Sequence, residues 1–227
     1  MTEEGKRTVV LPGQLLGEVS RQKAGHGTFI ENGKIFSQRF GVLNDHGEYL
    51  TVVPLKGKYS AIEGDFVIGY VIEAMSSSWL VDINAPYPAL LHVNEAPWKV
   101  DFGETDRYLN RGDSIMAKVL PIDETRKLQV TLNDRNLYKI KGGHLIEVEP
   151  SKVPRIIGKK GSMIALLKTY TRCRIFVGQN GRIWIDGPTE GIEKVLEVLR
   201  IIEDEALSFG LTKRIEEYLK KDAKDVQ

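Results

Sequence analysis

The stretch Val153-Pro154-Arg155-Ile156-Ile157-Gly158-Lys159-Lys160-Gly161 decides how the C-terminal part of this chain folds. An apolar helical turn leads into a glycine-bounded, doubly basic loop, and a second amphipathic segment starts directly after it. Gly-x-x-Gly between two helices lets a nucleic-acid backbone lie against main-chain N–H groups at a helix start, where a side chain would block it. Gly158 and Gly161 would allow that approach, and Lys159 and Lys160 stand where phosphate charge needs neutralising. The plainer reading is a helix–helix turn that tolerates glycine and shows lysine to solvent. The motif arises often by chance, so its surroundings must decide.

Those surroundings, residues 143–210, have the order β-α-α-β-β-α. His144–Val148 alternates as a strand, and Met163, Leu166, Leu167 and Tyr170 fall on one helical face. Arg174–Val177 and Arg182–Ile185 flank Gly178-Gln179-Asn180-Gly181, a strong hairpin signal. Pro188-Thr189 then opens a long helix with Ile192, Val195, Leu196, Leu199 and Ile202 on one stripe. This order, with its loop, resembles the type I KH domain and implies single-stranded RNA as the partner. Residues 211–227, rich in Lys and Glu, read as a polar C-terminal tail, a loose terminal helix or a frayed end.

Residues 60–135 read as a five-stranded barrel of the OB type, with short strands each preceded by a turn cluster. Gly64-Asp65 opens Phe66–Ala74, a turn at Met75–Ser78 leads to Trp79–Ile83, and Ala89–Val93, Ser114–Val119 and Lys127–Leu132 follow. Gly64-Asp65 before the first strand, Trp79 at the start of the second, and Leu91-His92-Val93-Asn94-Glu95 resemble the S1 RNA-binding domain. Arg111-Gly112-Asp113 and Ile122-Asp123 fall where that domain expects them, whereas Asn94 and Ala89 replace its usual serine and glycine. Residues 1–59 read as a small N-terminal β domain, broken by Pro12-Gly13, Gly25-His26-Gly27, Asn32-Gly33 and Asn44-Asp45-His46-Gly47. The fold class is thus multidomain β and α+β.

Composition is that of an ordinary globular protein, with 41% hydrophobic and 28% charged residues. No apolar run approaches the roughly 18 residues needed to span a bilayer, so no membrane partner is expected. The start, Met1-Thr2-Glu3-Glu4-Gly5-Lys6, is polar and acidic rather than a leader, and the cytoplasm is the expected location. Cys173 is the single cysteine, which leaves no intramolecular disulfide and no Cys-rich zinc site. The four histidines, His26, His46, His92 and His144, lack metal-ligand spacing. Catalytic residues, metal and cofactor are each read as none. A net charge of +1 is low for a freestanding RNA binder, so basic character is local or the protein works inside an assembly.

Trp79 and His92 occupy positions where S1 domains place base-stacking groups. A tryptophan in a strand is as readily core, so both readings of Trp79 stay open. Arg107 and Arg111 flank the loop between strands three and four of the barrel, and Arg126-Lys127 occupy the next turn. Gathered at one rim, these four cations would form a local electrostatic funnel. As an ordinary solvated surface they would be balanced by Glu104, Asp106 and Glu124.

The succession of a glycine-rich β segment, an S1-like barrel and one type I KH-like domain resembles the RNA-binding cap subunit of the archaeal exosome. Further family-like stretches are Val10-Leu11-Pro12-Gly13-Gln14, Gly25-His26-Gly27-Thr28, Glu63–Val71, Trp79–Ile83 and Gly178–Gly181. The resemblance implies a non-catalytic cap, trimeric or mixed with another cap type, on a hexameric ring of RNase PH-like subunits. The ring would carry the 3′-to-5′ phosphorolysis, and the N-terminal segment would contact it. The S1 domains would line the entry pore, and the cap would favour adenine-rich RNA. Transcription-elongation or translation-associated factors with S1 and KH domains are the nearest alternatives.

Overall fold

A computed structural model of the protein describes residues 8–45, 47–55, 57–121, 127–205 and 210–225, with side chains as far as 220. The chain divides into two compact units, Met1–Gly57 and Lys58–Gln227.

The first unit holds β1 (Val9–Val10), β2 (Leu15–Glu18), β3 (Lys23–Ala24), β4 (Thr28–Glu31), β5 (Lys34–Ser37), β6 (Gly41–Asp45) and β7 (Tyr49–Pro54). They form two sheets, β1-β6-β7-β3 and β2-β5-β4. Asn32 and Gly33 both take positive φ, 49° and 73°, which is the two-residue hairpin turn the Asn-Gly pair favours. Val10, Ile35, Leu50 and Val52 are buried inside, while Leu11, Leu15, Phe29, Ile30 and Phe40 remain exposed.

In the second unit, β8 (Phe66–Met75), β9 (Ser78–Asp82), β10 (Ala89–His92), β11 (Ser114–Val119) and β12 (Gln129–Thr131) close into the expected barrel, in the order β8-β9-β10-β12-β11. Closure leaves no free sheet edge. Val67, Val81, Leu91, Ile115 and Val130 fill the interior. Tyr59 also belongs to this core, and its hydroxyl donates to Asp65 Oδ2 at 2.7 Å.

The remaining elements are β13 (His144–Glu147), α1 (Val153–Ile157), α2 (Ser162–Thr171), β14 (Arg174–Val177), β15 (Arg182–Asp186), α3 (Thr189–Asp204) and α4 (Leu211–Asp225). The sheet runs β13-β15-β14, all antiparallel. One face, with Ile175, Ile183 and Ile185, packs on the helices through Val153, Ile156, Met163, Leu167, Val195 and Ile202. The other carries the cross-strand row Leu145, Trp184 and Phe176, and this row joins the barrel's apolar cluster. A sheet buried on both faces explains why Arg182-Ile183-Trp184-Ile185 shows no polar alternation.

The Gly178–Gly181 turn is the bolt of this contact. Asn180 has no exposed surface. Its Nδ2 donates to Ile68 O (2.8 Å) and Ile83 O (2.9 Å), and its Oδ1 accepts from Ile68 N (3.3 Å). Asn84 Nδ2 donates back to Asn180 O at 2.9 Å, and Gln179 N donates to Phe66 O at 2.8 Å. Gly178 must lack a side chain, because a Cβ there would stand 3.1 Å from Ile68 N and press on Asn180 itself. Beside the turn, Arg182 is 5% exposed in its side chain and pairs with Asp82 and Glu147. Its Nη1 donates to Asp82 O at 2.7 Å, and its guanidinium lies 4.3 Å from the Tyr70 ring centroid. A buried guanidinium needs this many partners to offset desolvation.

One expectation is corrected. The polar tail was expected to be a loose or frayed terminal helix, yet the helix Leu211–Asp225 is packed, with Leu211, Ile215 and Leu219 buried in the α/β core. The Lys and Glu residues mask an i, i+4, i+8 apolar stripe. Tyr218 Oη donates to Glu197 on α3 at 2.7 Å and further ties the helix down.

Asn180→Ala removes a buried amide and leaves Ile68 N–H and the Ile83 carbonyl without that partner, while the Ile68 carbonyl keeps only the longer bond from Arg182 Nη1 at 3.3 Å. A loss of about 2–5 kcal/mol in urea unfolding is expected. Burial first, and then the bond donated to Asp65, raise the Tyr59 pKa well above the usual tyrosine value. Because the folded pKa is the higher, the stability Tyr59 contributes is present below about pH 10 and is lost as pH rises further. Alkaline titration followed at the tyrosinate absorbance band should show one late-ionising tyrosine that Tyr59→Phe removes.

Candidate nucleic-acid interface

The Gly-x-x-Gly loop lies where the sequence put it, between α1 and α2. Gly158 closes α1 with φ 75° and ψ 171°, and its N–H donates to Pro154 O at 3.0 Å. A Cβ on Gly158 would stand 2.7 Å from Met163 N, so the loop could not turn into α2 with any other residue there. Lys160 itself takes the left-handed conformation, φ 53° and ψ 30°. That conformation costs a non-glycine residue of order 1 kcal/mol and turns the Lys159-Lys160 pair outward. Both lysines are exposed, and among the described residues neither makes an ion pair. Gly161, at φ 78°, is the N-cap of α2 and offers no side chain to that helix's first N–H groups. The arrangement therefore combines a glycine-bounded backbone with no side chain at either end, two exposed cations and a helix start, which together suit a phosphate-bearing strand.

On the barrel, the site residues do not share one rim. His92 ends β10, and its Nδ1 accepts from Asn94 N at 3.2 Å, so the neutral ring carries its proton on Nε2. The following residue, Val93, donates through its N–H to Ser77 O in the β8–β9 turn. Arg107 stands at the same end, because Thr105 Oγ1 donates to Met75 O at 2.6 Å, and Arg107 is itself paired with Glu104 at 2.7 Å. Arg111 is exposed just before β11 and makes no ion pair among the described residues. Lys127 is exposed too, but it precedes β12 and so lies beyond the far end of β11. The six residues of β11 separate it from Arg111 by about 20 Å. Arg126 lies outside the described residues. The funnel of four cations at one rim is thereby corrected, since antiparallel pairing of β11 with β12 puts the two flanking loops at opposite ends.

Of the two readings of Trp79, the structure favours core over base-stacking platform. The residue is 0% exposed and cannot stack on a base. Its indole Nε1 is shared between Thr105 O (3.2 Å) and Leu109 O (3.1 Å), so it pins the 105–109 segment over the barrel end. It holds the segment that carries Arg107 rather than touching a ligand. The large residues standing in water are others, Phe102 and Tyr87.

Comparison with known proteins now adds what geometry alone does not. Residues 143–191 match the family described as "KH domain", and residues 9–44 match "Exosome complex exonuclease RRP4 N-terminal region". The Exosome complex component Rrp4 of Methanosarcina acetivorans is 48% identical over 216 residues, covering 95% of this chain and 83% of its own length. The chain belongs to the Rrp4 family of exosome components. Its counterpart in Thermoplasma volcanium is 42% identical, over 95% of this chain and 91% of its own. A crystal structure provisionally described as an exosome complex RNA-binding protein superposes with a TM-score of 0.66 at 36% identity, over 75% of this chain and all of that one. The Rrp4 N-terminal match falls inside the β1–β7 unit, and the KH match spans the Gly-x-x-Gly loop and the Asn180 turn.

Proposed function

We propose that this Rrp4-family chain is a non-catalytic, RNA-binding cap of the exosome. Three copies, or a mixture with another cap type, sit on an RNase PH-like hexameric ring and deliver single-stranded RNA, adenine-rich tails above all, to its pore. The ring performs the 3′-to-5′ phosphorolysis. The observation that carries this reading is the family membership over 95% of the chain, joined to an intact, cation-bearing Gly-x-x-Gly loop.

Each unit contributes a different part. The β1–β7 unit leaves Leu11, Leu15, Phe29, Ile30 and Phe40 exposed, and this apolar surface supports a protein partner for it, the ring. The Lys159-Lys160 loop supplies local positive charge on a chain of net charge +1. Local rather than global charge suits a subunit whose other faces meet protein.

Two experiments test the reading. Lys159→Glu with Lys160→Glu should weaken binding of single-stranded RNA by about tenfold or more at low salt. The slope of log K against log salt should also shrink, by about 0.7 per lost phosphate contact. Unchanged affinity and slope in a folded variant would make the loop structural. The purified chain, mixed with an RNase PH-like ring, phosphate and a poly(A)-tailed RNA, should assemble with the ring and speed decay, while showing no degradation when the ring is left out. Degradation by the chain on its own would refute the non-catalytic assignment.

A further inference from the structure

The barrel end that holds His92 also carries the most exposed large apolar side chain among the described residues. Phe102 is 83% exposed, and its exposure is built into the backbone. Glu104 N donates to Asp101 O at 3.0 Å, and Gly103 has φ 83°, so Asp101–Glu104 form a tight turn of the type that needs glycine at its third position. Phe102 occupies the second position, the outer corner, from which its ring cannot fold back. Gly103 N donates to Ser76 O at 2.9 Å and fixes the turn to the β8–β9 connection. Val93, next to His92, donates to the adjacent Ser77 O at 3.1 Å. Two consecutive residues of one connection thus anchor the neighbours of both rings, and consecutive Cα atoms lie about 3.8 Å apart.

The charges around this tip are graded. Asp101 and Glu104 flank Phe102, and Glu104 engages Arg107, so the tip repels phosphate. Arg111, further along the same segment, is exposed and without an ion pair among the described residues. A strand crossing here would turn its bases toward Phe102 and His92 and its backbone toward Arg111. Beneath the tip, Trp98 and Tyr108 stack at 5.6 Å between ring centroids, and Tyr108 Oη donates to Lys99 O at 2.8 Å, which stiffens the loop.

We infer that Phe102 is a base-stacking platform for single-stranded RNA, working beside His92 at this end of the barrel. The inference rests on the RNA-binding reading above and adds to it a contact that is sequence-tolerant and uncharged. Base stacking on an exposed aromatic strengthens binding by about fivefold to a hundredfold per base.

The test uses the full chain, an oligo(A) strand and fluorescence anisotropy over a range of salt. Phe102→Ala should bind at least about fivefold more weakly. Its salt slope should equal that of the unsubstituted chain, because no charge is lost. Phe102→Leu, which keeps apolar bulk without a π face, should not restore affinity. Tyr87→Ala, in the β9–β10 loop at the other end of the barrel, should bind like the unsubstituted chain. Affinity of Phe102→Ala within about twofold of the unsubstituted chain, while Lys159→Glu with Lys160→Glu still weakens binding, would overturn the platform and leave the RNA-binding reading standing. The same normal RNA affinity combined with lost capture by the ring would also overturn it and make the tip a protein contact. No RNA binding by the unsubstituted chain would remove both readings together.

Discussion

A single buried amide holds the working half of this protein together. Asn180 reaches out of the β14–β15 turn and satisfies three main-chain groups of the barrel, one N–H and two carbonyls. Those groups sit on Ile68 of β8 and on Ile83, just past the end of β9. An asparagine is suited to this because one side chain carries both a two-proton donor and an acceptor. Arg182, the first residue of β15, adds an ionic contact to Asp82, and Trp184 adds apolar area. The barrel and the KH-type sheet therefore share a core rather than a linker. The Gly-x-x-Gly loop and the His92 end of the barrel belong to one compact unit.

A shared core suits the proposed RNA-binding role. A flexible strand is held most firmly when its contacts are fixed relative to one another, because the protein then loses little freedom on binding. In this chain the Gly-x-x-Gly loop and the barrel end are each fixed locally as well. Gly158 sets the loop's turn by a conformation no other residue tolerates there, and Trp79 ties the 105–109 segment through a shared indole proton. A net charge of +1 supplies no general positive field, so under the proposed role affinity falls to placed groups.

Much of this was legible in the sequence. The Gly-Asp openings, the Asn32-Gly33 turn and the helical spacing around Gly158–Gly161 are local signals, and local signals fix element type and order. The barrel's closure and the helix–strand order followed from them. Less legible was everything decided by what covers an element. Gln179-Asn180 reads as a polar hairpin turn until a second domain is placed against it. Arg182 looks like a solvent-facing strand residue, although the unbroken apolar run after it was a sign that both sheet faces are covered. Trp79 could be platform or core on sequence grounds, and barrel closure decides for core. The apolar stripe of α4, Leu211, Ile215 and Leu219, was hidden by charged neighbours whose long side chains dominate the composition. Arg111 and Lys127 are close in the chain but lie at opposite ends of β11, a separation that only strand direction reveals.

The central claim, that barrel and KH-type domain form one rigid body bolted by Asn180, has a direct test in pulsed electron–electron spin resonance. Labels would go on Lys99→Cys in the barrel and Lys168→Cys on α2, both exposed positions, while the native Cys173 is buried and would stay unlabelled. The account predicts one narrow distance distribution in solution, broadened when Asn180→Ala is introduced. A broad or multimodal distribution in the chain with Asn180 intact would contradict it.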